Sequence, residues 1–179
     1  AGLVRGASKG EGLGNKFLGN IKEVDAIAHV VRCFKKGDVV HVHGDVNPLR
    51  DIGVIELELA LADLETVNRN IERVTKKARA GDKESLAHKA VFEKAREALE
   101  AGTQLRALEW KDAERAALKP LFLMTMKPVL FVCNVGDDEL DGDTPEVAAV
   151  RDHAATTGAE VVVLCGDIEG ELAGMEPEE

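Results

Sequence analysis

Two places in this sequence combine residue types suited to holding a phosphorylated ligand. The first is the opening stretch Ala1 to Phe17, with glycines at positions 2, 6, 10, 12 and 14. That glycine content rules out a strand or helix interior. A glycine-rich loop that runs into a helix lets free backbone N–H groups point at phosphate oxygens. Gly2 suits a close approach because it has no Cβ to hold the peptide away. The second place is Asn134-Val135-Gly136-Asp137, which follows directly on the apolar run ending at Cys133. Open α/β sheets bind ligands at the carboxyl ends of their strands. An amide and a carboxylate there stand where such a ligand would sit.

Other clusters carry weaker signals. Arg69, Arg73, Lys76, Lys77, Arg79 and Lys83 give six positive charges against Glu72 and Asp82 over residues 69–83. Such a patch suits a phosphate-rich surface such as ribosomal RNA. It also suits a solvated helix face with pairs such as Glu65–Arg69 and Glu72–Lys76. His41 and His43 would share one face of an extended segment, but only Asp45 stands near, so no metal site is expected. The acidic run from Asp137 to Asp143 reads as a solvated turn. No Ser-His-Asp order or paired-carboxylate arrangement assigns a catalytic residue.

Composition sets the frame. With 179 residues, 45% of them hydrophobic and 31% charged, the chain reads as globular, with room for one domain or one domain plus an insertion. The net charge of −10 argues against a surface that binds nucleic acid throughout. Five Phe, one Trp and no Tyr leave little material for a base-stacking platform. Cys33, Cys133 and Cys165 lie in or at the ends of apolar runs, with no C-x-x-C pair. They read as reduced thiols packed beside strands, which suits the cytoplasm. No apolar run reaches the ~20 residues that span a bilayer, and no membrane partner is expected.

The elements that must position these residues follow from the hydrophobic pattern. Residues 13–24 carry Leu13, Phe17, Leu18, Ile21 and Val24 at helical spacing. Ala26 to Phe34 reads as a buried parallel strand, and Val39 to Val42 as a short extended piece. From Asp51 to Ala80 the seam Ala60, Leu64, Val67, Ile71, Val74, Ala78 follows an a/d heptad, predicting a helix of about 30 residues. Gly81-Asp82 ends it, with Asp82 as N-cap of a second helix over 83–101 whose seam is His88, Phe92, Ala95, Leu99. The pattern then predicts helix 112–119, strand 128–134, helix 145–157, strand 160–165 and a helix after Gly166. Alternating strands and helices imply a parallel sheet, so the fold class is α/β with an inserted antiparallel coiled-coil hairpin. The expected domains are 1–46, the inserted 47–111, and 112–179.

The opening loop resembles the switch-II segment of the YchF family, the Obg-like ATPases of the P-loop GTPase superfamily. The family reads Asp-x-Ala-Gly-Leu-Val-x-Gly-Ala and then Lys-Gly-Glu-Gly-Leu-Gly-Asn-x-Phe. The matching residues are Ala1 to Val4, Gly6, Ala7, Lys9 to Asn15 and Phe17, and the resemblance continues through Asp25 to Phe34 and on to Asn134, Val135 and Cys165. It implies a partial P-loop NTPase domain in which Ala1, Gly2 and Leu3 meet the terminal phosphate of a magnesium-bound nucleotide. Leu3 stands where Ras-like GTPases carry a water-orienting glutamine, so turnover is expected to be slow. Asn134, Val135 and Asp137 fall on the base-recognition motif, Asn-Lys-x-Asp in GTPases and Asn-x-x-Glu in this family. Asp137 in place of glutamate leaves both ATP and GTP open, with ATP the family's preference. Cys165 and Gly166 match a backbone contact to the base. The resemblance further implies ribosome association through the basic hairpin. The family's Gly-x-x-x-x-Gly-Lys-Ser/Thr motif and C-terminal TGS domain do not occur in these residues, so the sequence reads as a fragment expected to be inactive by itself. The competing reading is a non-catalytic module in which the hairpin alone binds a partner.

Overall fold

A computed structural model describes residues 14–34 and 46–174. Its elements are α1 (Gly14–Glu23), β1 (Ile27–Arg32), α2 (Pro48–Ala78), α3 (Lys83–Glu100), α4 (Asp112–Leu118), β2 (Val129–Asn134), α5 (Pro145–Thr157), β3 (Glu160–Leu164) and α6 (Gly166–Leu172). The expected Val39–Val42 strand lies outside the described residues. The chain clusters into two compact units: 1–25 with 54–128, and 26–53 with 129–179. The divisions expected from sequence stand at 46/47 and 111/112.

The second unit is built on a sheet in the order β1-β2-β3. Both pairings are parallel, with Ile27 opposite Val129 and Leu130 opposite Glu160. Parallel neighbours cannot be joined by a tight turn, so each connection is a helical crossover. Between β1 and β2 that crossover is the whole of α2–α4, and between β2 and β3 it is α5. Val31, Cys33, Val129, Phe131, Cys133 and Val135 form one apolar cluster with Val147, Val150 and Ala154 of α5. The 3-4 spacing of those α5 residues puts them on a single helix face. Thr144 caps α5, its Oγ1 accepting from Val147 N at 3.3 Å, and Pro145 occupies the first turn. Gly158 ends it at φ +66°, a left-handed turn that favours glycine.

The first unit is helical. The α2 helix begins at Pro48, three residues earlier than the hydrophobic seam suggests, because Asn47 Oδ1 accepts from Arg50 N at 3.0 Å as an N-cap. Its 31 residues span about 45 Å. Asp82 caps α3 through Ser85 N and the Ser85 hydroxyl, and Gly81 turns the chain at φ +91°. The seam residues Ala60, Val67, Ile71, Val74, Phe92, Ala95 and Leu99 are buried together. The same cluster contains Leu105, Trp110, Ala117, Leu118, Leu121 and Leu123. The two long helices therefore do not close their core alone. Lys94 of α3 holds this third segment: its Nζ lies 4.3 Å from the Trp110 ring centroid and 3.0 Å from Glu114 Oε1. Asp63, fully buried on α2, accepts from Met124 N (3.0 Å), Thr125 N (2.7 Å) and Thr125 Oγ1 (2.7 Å). Lys127 Nζ donates to the carbonyls of Lys22 and Val24, which fastens the end of α1.

Candidate functional site

The candidate site lies within the sheet unit, beyond the carboxyl ends of its strands. A cavity of about 180 Å³ is lined by Phe34, Asn134, Val135, Gly136, Asp137, Asp138, Glu139 and Asp167. This is where a parallel sheet leaves its last peptide groups and the helix starts that follow them facing a common space.

Asn134 is the keystone of its wall. As the final residue of β2 it sits opposite Leu164 in the ladder, and opposite Arg32 on the other side. Its carbonyl accepts from Cys33 N at 2.8 Å, and its side-chain Oδ1 accepts from Gly166 N at 2.8 Å. The amide thereby binds one of the N–H groups that open α6 and have no partner within the helix. Gly166 permits that contact, because a Cβ there would stand 3.3 Å from Asn134 Oδ1. Val135 is buried, and its N–H donates to Leu164 O at 2.9 Å. The chain then turns: Glu139 N donates to Gly136 O at 3.1 Å, and Glu139 Oε2 accepts from Gly136 N at 3.4 Å. Asp137, Asp138 and Asp167 are exposed at the rim, while Glu139 is half-buried.

Of the residues singled out from sequence, Asn134, Val135 and Asp137 come together in this lining. Cys165 and Gly166 stand one step behind it: Cys165 is buried, Gly166 holds Asn134, and Asp167 is the lining residue of that turn. Ala1, Gly2 and Leu3, and with them His41 and His43, lie outside the described residues. Sequence reasoning misses Phe34 and Asp167 as lining residues and takes Asp138 and Glu139 for part of a solvated turn. The apolar pattern extends the first strand to Phe34, but β1 stops at Arg32 and Phe34 lies beyond it. The available signal is an aromatic residue directly before the polar run Lys35 to Asp38, at the end of the apolar stretch that precedes the insertion.

Cys33 and Cys133 are free, buried thiols that share a hydrogen bond. That bond and burial push the Cys33 thiol far up. The same bond, aided by Arg151, holds Cys133 below its ordinary value despite burial. Cys165 is also a free, buried thiol. No group of three or more His, Cys, Asp or Glu side chains among the described residues is arranged to hold a metal ion.

The hairpin tip is a separate surface in the helical unit. Arg69, Arg73, Lys76, Lys77, Arg79 and Lys83 are all exposed. Arg69 pairs with Glu65 at 3.2 Å, as the i,i+4 spacing suggests, and Arg73 Nη2 donates to Asn70 Oδ1 at 2.8 Å. Among the described residues no helix is long and apolar enough to cross a membrane.

No family model matches the chain. Over 179 residues, its full length, it is 50% identical to the ribosome-binding ATPase YchF of Escherichia coli O157:H7, covering 49% of that protein. It is 47% identical to the ribosome-binding ATPase YchF of Bacillus subtilis strain 168, again over the whole chain and 50% of the relative. Among solved structures, that of the Schizosaccharomyces pombe YchF GTPase superposes with a TM-score of 0.80 at 29% identity, over 93% of this chain and 47% of that one. The chain spans about half the length of the curated relatives it matches, and across that span it is similar to proteins named YchF.

Proposed function

We propose that the cavity at the strand ends takes the base of a purine nucleotide, and that the whole protein is a ribosome-associated, cytoplasmic nucleoside triphosphatase converting ATP to ADP and phosphate. The observation that carries this reading is the lining itself. One aromatic ring (Phe34), a buried apolar residue (Val135), an amide (Asn134) and several carboxylates converge at the carboxyl edge of a parallel sheet. Purines present an apolar face for Phe34 and Val135. Their exocyclic amino groups, joined in guanine by a ring N–H, suit acceptors such as Asp137.

In this reading the glycine-rich segment of Ala1, Gly2 and Leu3 contacts the terminal phosphate, and magnesium accompanies the triphosphate. Leu3 has no group to orient a water, so turnover by these residues is slow and the activating group lies elsewhere. The exposed basic tip from Arg69 to Lys83 contacts ribosomal RNA, in line with the name that the bacterial relatives carry. The division 1–46, 47–111 and 112–179 belongs to the same reading, as nucleotide domain, helical insertion and nucleotide-domain remainder.

A second reading, GTP in place of ATP, is favoured by Asp137. An aspartate at that position can accept from two guanine N–H groups at once, and the fission-yeast relative is described as a GTPase. Titration of the full-length protein with ATP and GTP in magnesium decides between them. The expected result is tighter ATP binding. GTP binding at least about tenfold tighter, a difference of ~1.4 kcal/mol, overturns the ATP assignment. Absence of any base dependence overturns the cavity assignment.

A further inference from the structure

We propose that Arg32 is a positioning residue that sets Phe34 as the stacking surface for the base, an inference that rests on reading the cavity as a base site. Phe34 is the one aromatic residue in the lining among the described residues. It lies two residues past the end of β1, where the strand no longer dictates its orientation. Arg32 fixes it twice. Its Nε donates to the Phe34 carbonyl at 3.2 Å, and its guanidinium carbon lies 4.5 Å from the centre of the Phe34 ring. The first contact holds the backbone of a residue leaving the sheet, and the second holds the ring. Both come from a residue that is itself anchored in the ladder opposite Asn134. One residue thus couples the amide wall of the cavity to its aromatic wall.

The choice of arginine is chemically specific. A planar guanidinium can lie over a ring and donate from Nε at the same time, which a lysine ammonium on a flexible stem does less well. A cation on one ring face also draws π density away from the other. An electron-rich purine stacked on that second face then meets less repulsion. Arg32 therefore contributes to base affinity through Phe34 without touching the base.

The test uses the full-length protein, magnesium, and the triphosphate of 2-aminopurine riboside, whose fluorescence is quenched by stacking on an aromatic ring. Inorganic tripolyphosphate serves as a base-free control. Wild type is expected to quench the probe. Arg32→Gln is expected to bind it about fivefold more weakly, within the range of a cation–π contact, and to lose most of the quench, with tripolyphosphate binding unchanged. Arg32→Lys should recover part of the quench. In a Phe34→Leu background, Arg32→Gln should have no further effect, since its role runs through that ring. Wild-type quench and affinity in Arg32→Gln, or an undiminished Arg32 effect without Phe34, overturns the proposal. Should Arg32→Gln fail to fold, full quench loss in Arg32→Lys together with weakened tripolyphosphate binding overturns it equally, because that pattern marks general damage. If wild type binds tripolyphosphate but neither quenches the probe nor discriminates bases, the cavity reading itself has failed, and the role of Arg32 falls with it.

Discussion

Asn134 and Asp63 are both polar side chains set against apolar cores, one in each unit, and they are used in opposite ways. Asn134 ends β2 half-buried, accepts one hydrogen bond from Gly166 N, and keeps its remaining amide atoms at the wall of a cavity. Asp63 lies in the middle of α2 with no exposure, and both its oxygens are taken up by Met124 and Thr125. A buried polar group that is fully paired serves the scaffold, whereas one left at a strand end with spare capacity can serve a ligand. The sheet unit presents polar side chains at a cavity rim, and the helical unit consumes this one in its core.

The strongest way to break this comparison is Asp63→Ala. It would leave the Met124 and Thr125 N–H groups buried without acceptors, at roughly 1–3 kcal/mol for each. We expect a loss of about 2–5 kcal/mol in urea unfolding, with nucleotide binding by the residual folded protein unchanged. A wild-type midpoint would show that Asp63 does not carry the scaffold. Asn134→Ala tests the other side. Its stability loss should be near 1 kcal/mol, about the value of one partly solvated hydrogen bond, while base-dependent affinity should fall by roughly tenfold or more. A variant that loses stability and keeps base affinity would place Asn134 with the scaffold.

These two residues also show what is readable in the sequence. Asn134 is legible because a strand-ending Asn before a glycine turn is a local pattern, and the strands, α5 and the hairpin follow from periodicity in the same way. Asp63 is invisible: its partners are 61 and 62 residues away, and an acidic residue inside a helix reads as solvated. Phe34 is hidden for a related reason. It continues the apolar run of β1, and only the register with β2 shows that the strand has ended. The third segment on the helical core is equally hard to foresee, because heptad spacing describes two helices and says nothing of what packs over them. The start of α2 is misplaced when hydrophobic residues are followed in preference to the Asn47-Pro48 cap.

A smaller effect on stability is expected at the tip. Reversing charge at Arg73, Lys76 and Lys77 should change unfolding free energy by no more than about 0.5 kcal/mol, because all three are exposed. The same triple variant should weaken ribosome co-sedimentation and flatten its salt dependence by about one unit of slope for each phosphate no longer neutralised. Unchanged sedimentation removes RNA as the partner of this surface. A large stability loss would mean that the tip belongs to the scaffold after all.

The finest distinction lies between the caps of α3 and α5. Asp82 accepts from the Ser85 hydroxyl and the Ser85 N–H, and these bonds hold its carboxyl below the usual aspartate range. A carboxyl whose folded pKa is depressed stabilises the fold above its unfolded pKa, and that contribution is lost as pH falls through the folded value. The first turn of α3 should therefore loosen in acid, below the ordinary aspartate range. Thr144, which caps α5 through Val147 N, has no proton to gain. Amide exchange corrected for intrinsic pH dependence should show protection at Leu86, whose N–H closes the first α3 turn onto Asp82 O, declining in acid while Ala148, bonded to Thr144 O, holds steady. Asp82→Asn should keep a capping acceptor and abolish the decline. Equal acid sensitivity at both sites would mean that the whole protein is loosening and that the Asp82 cap contributes nothing of its own, since a local cap acts only on the turn it closes.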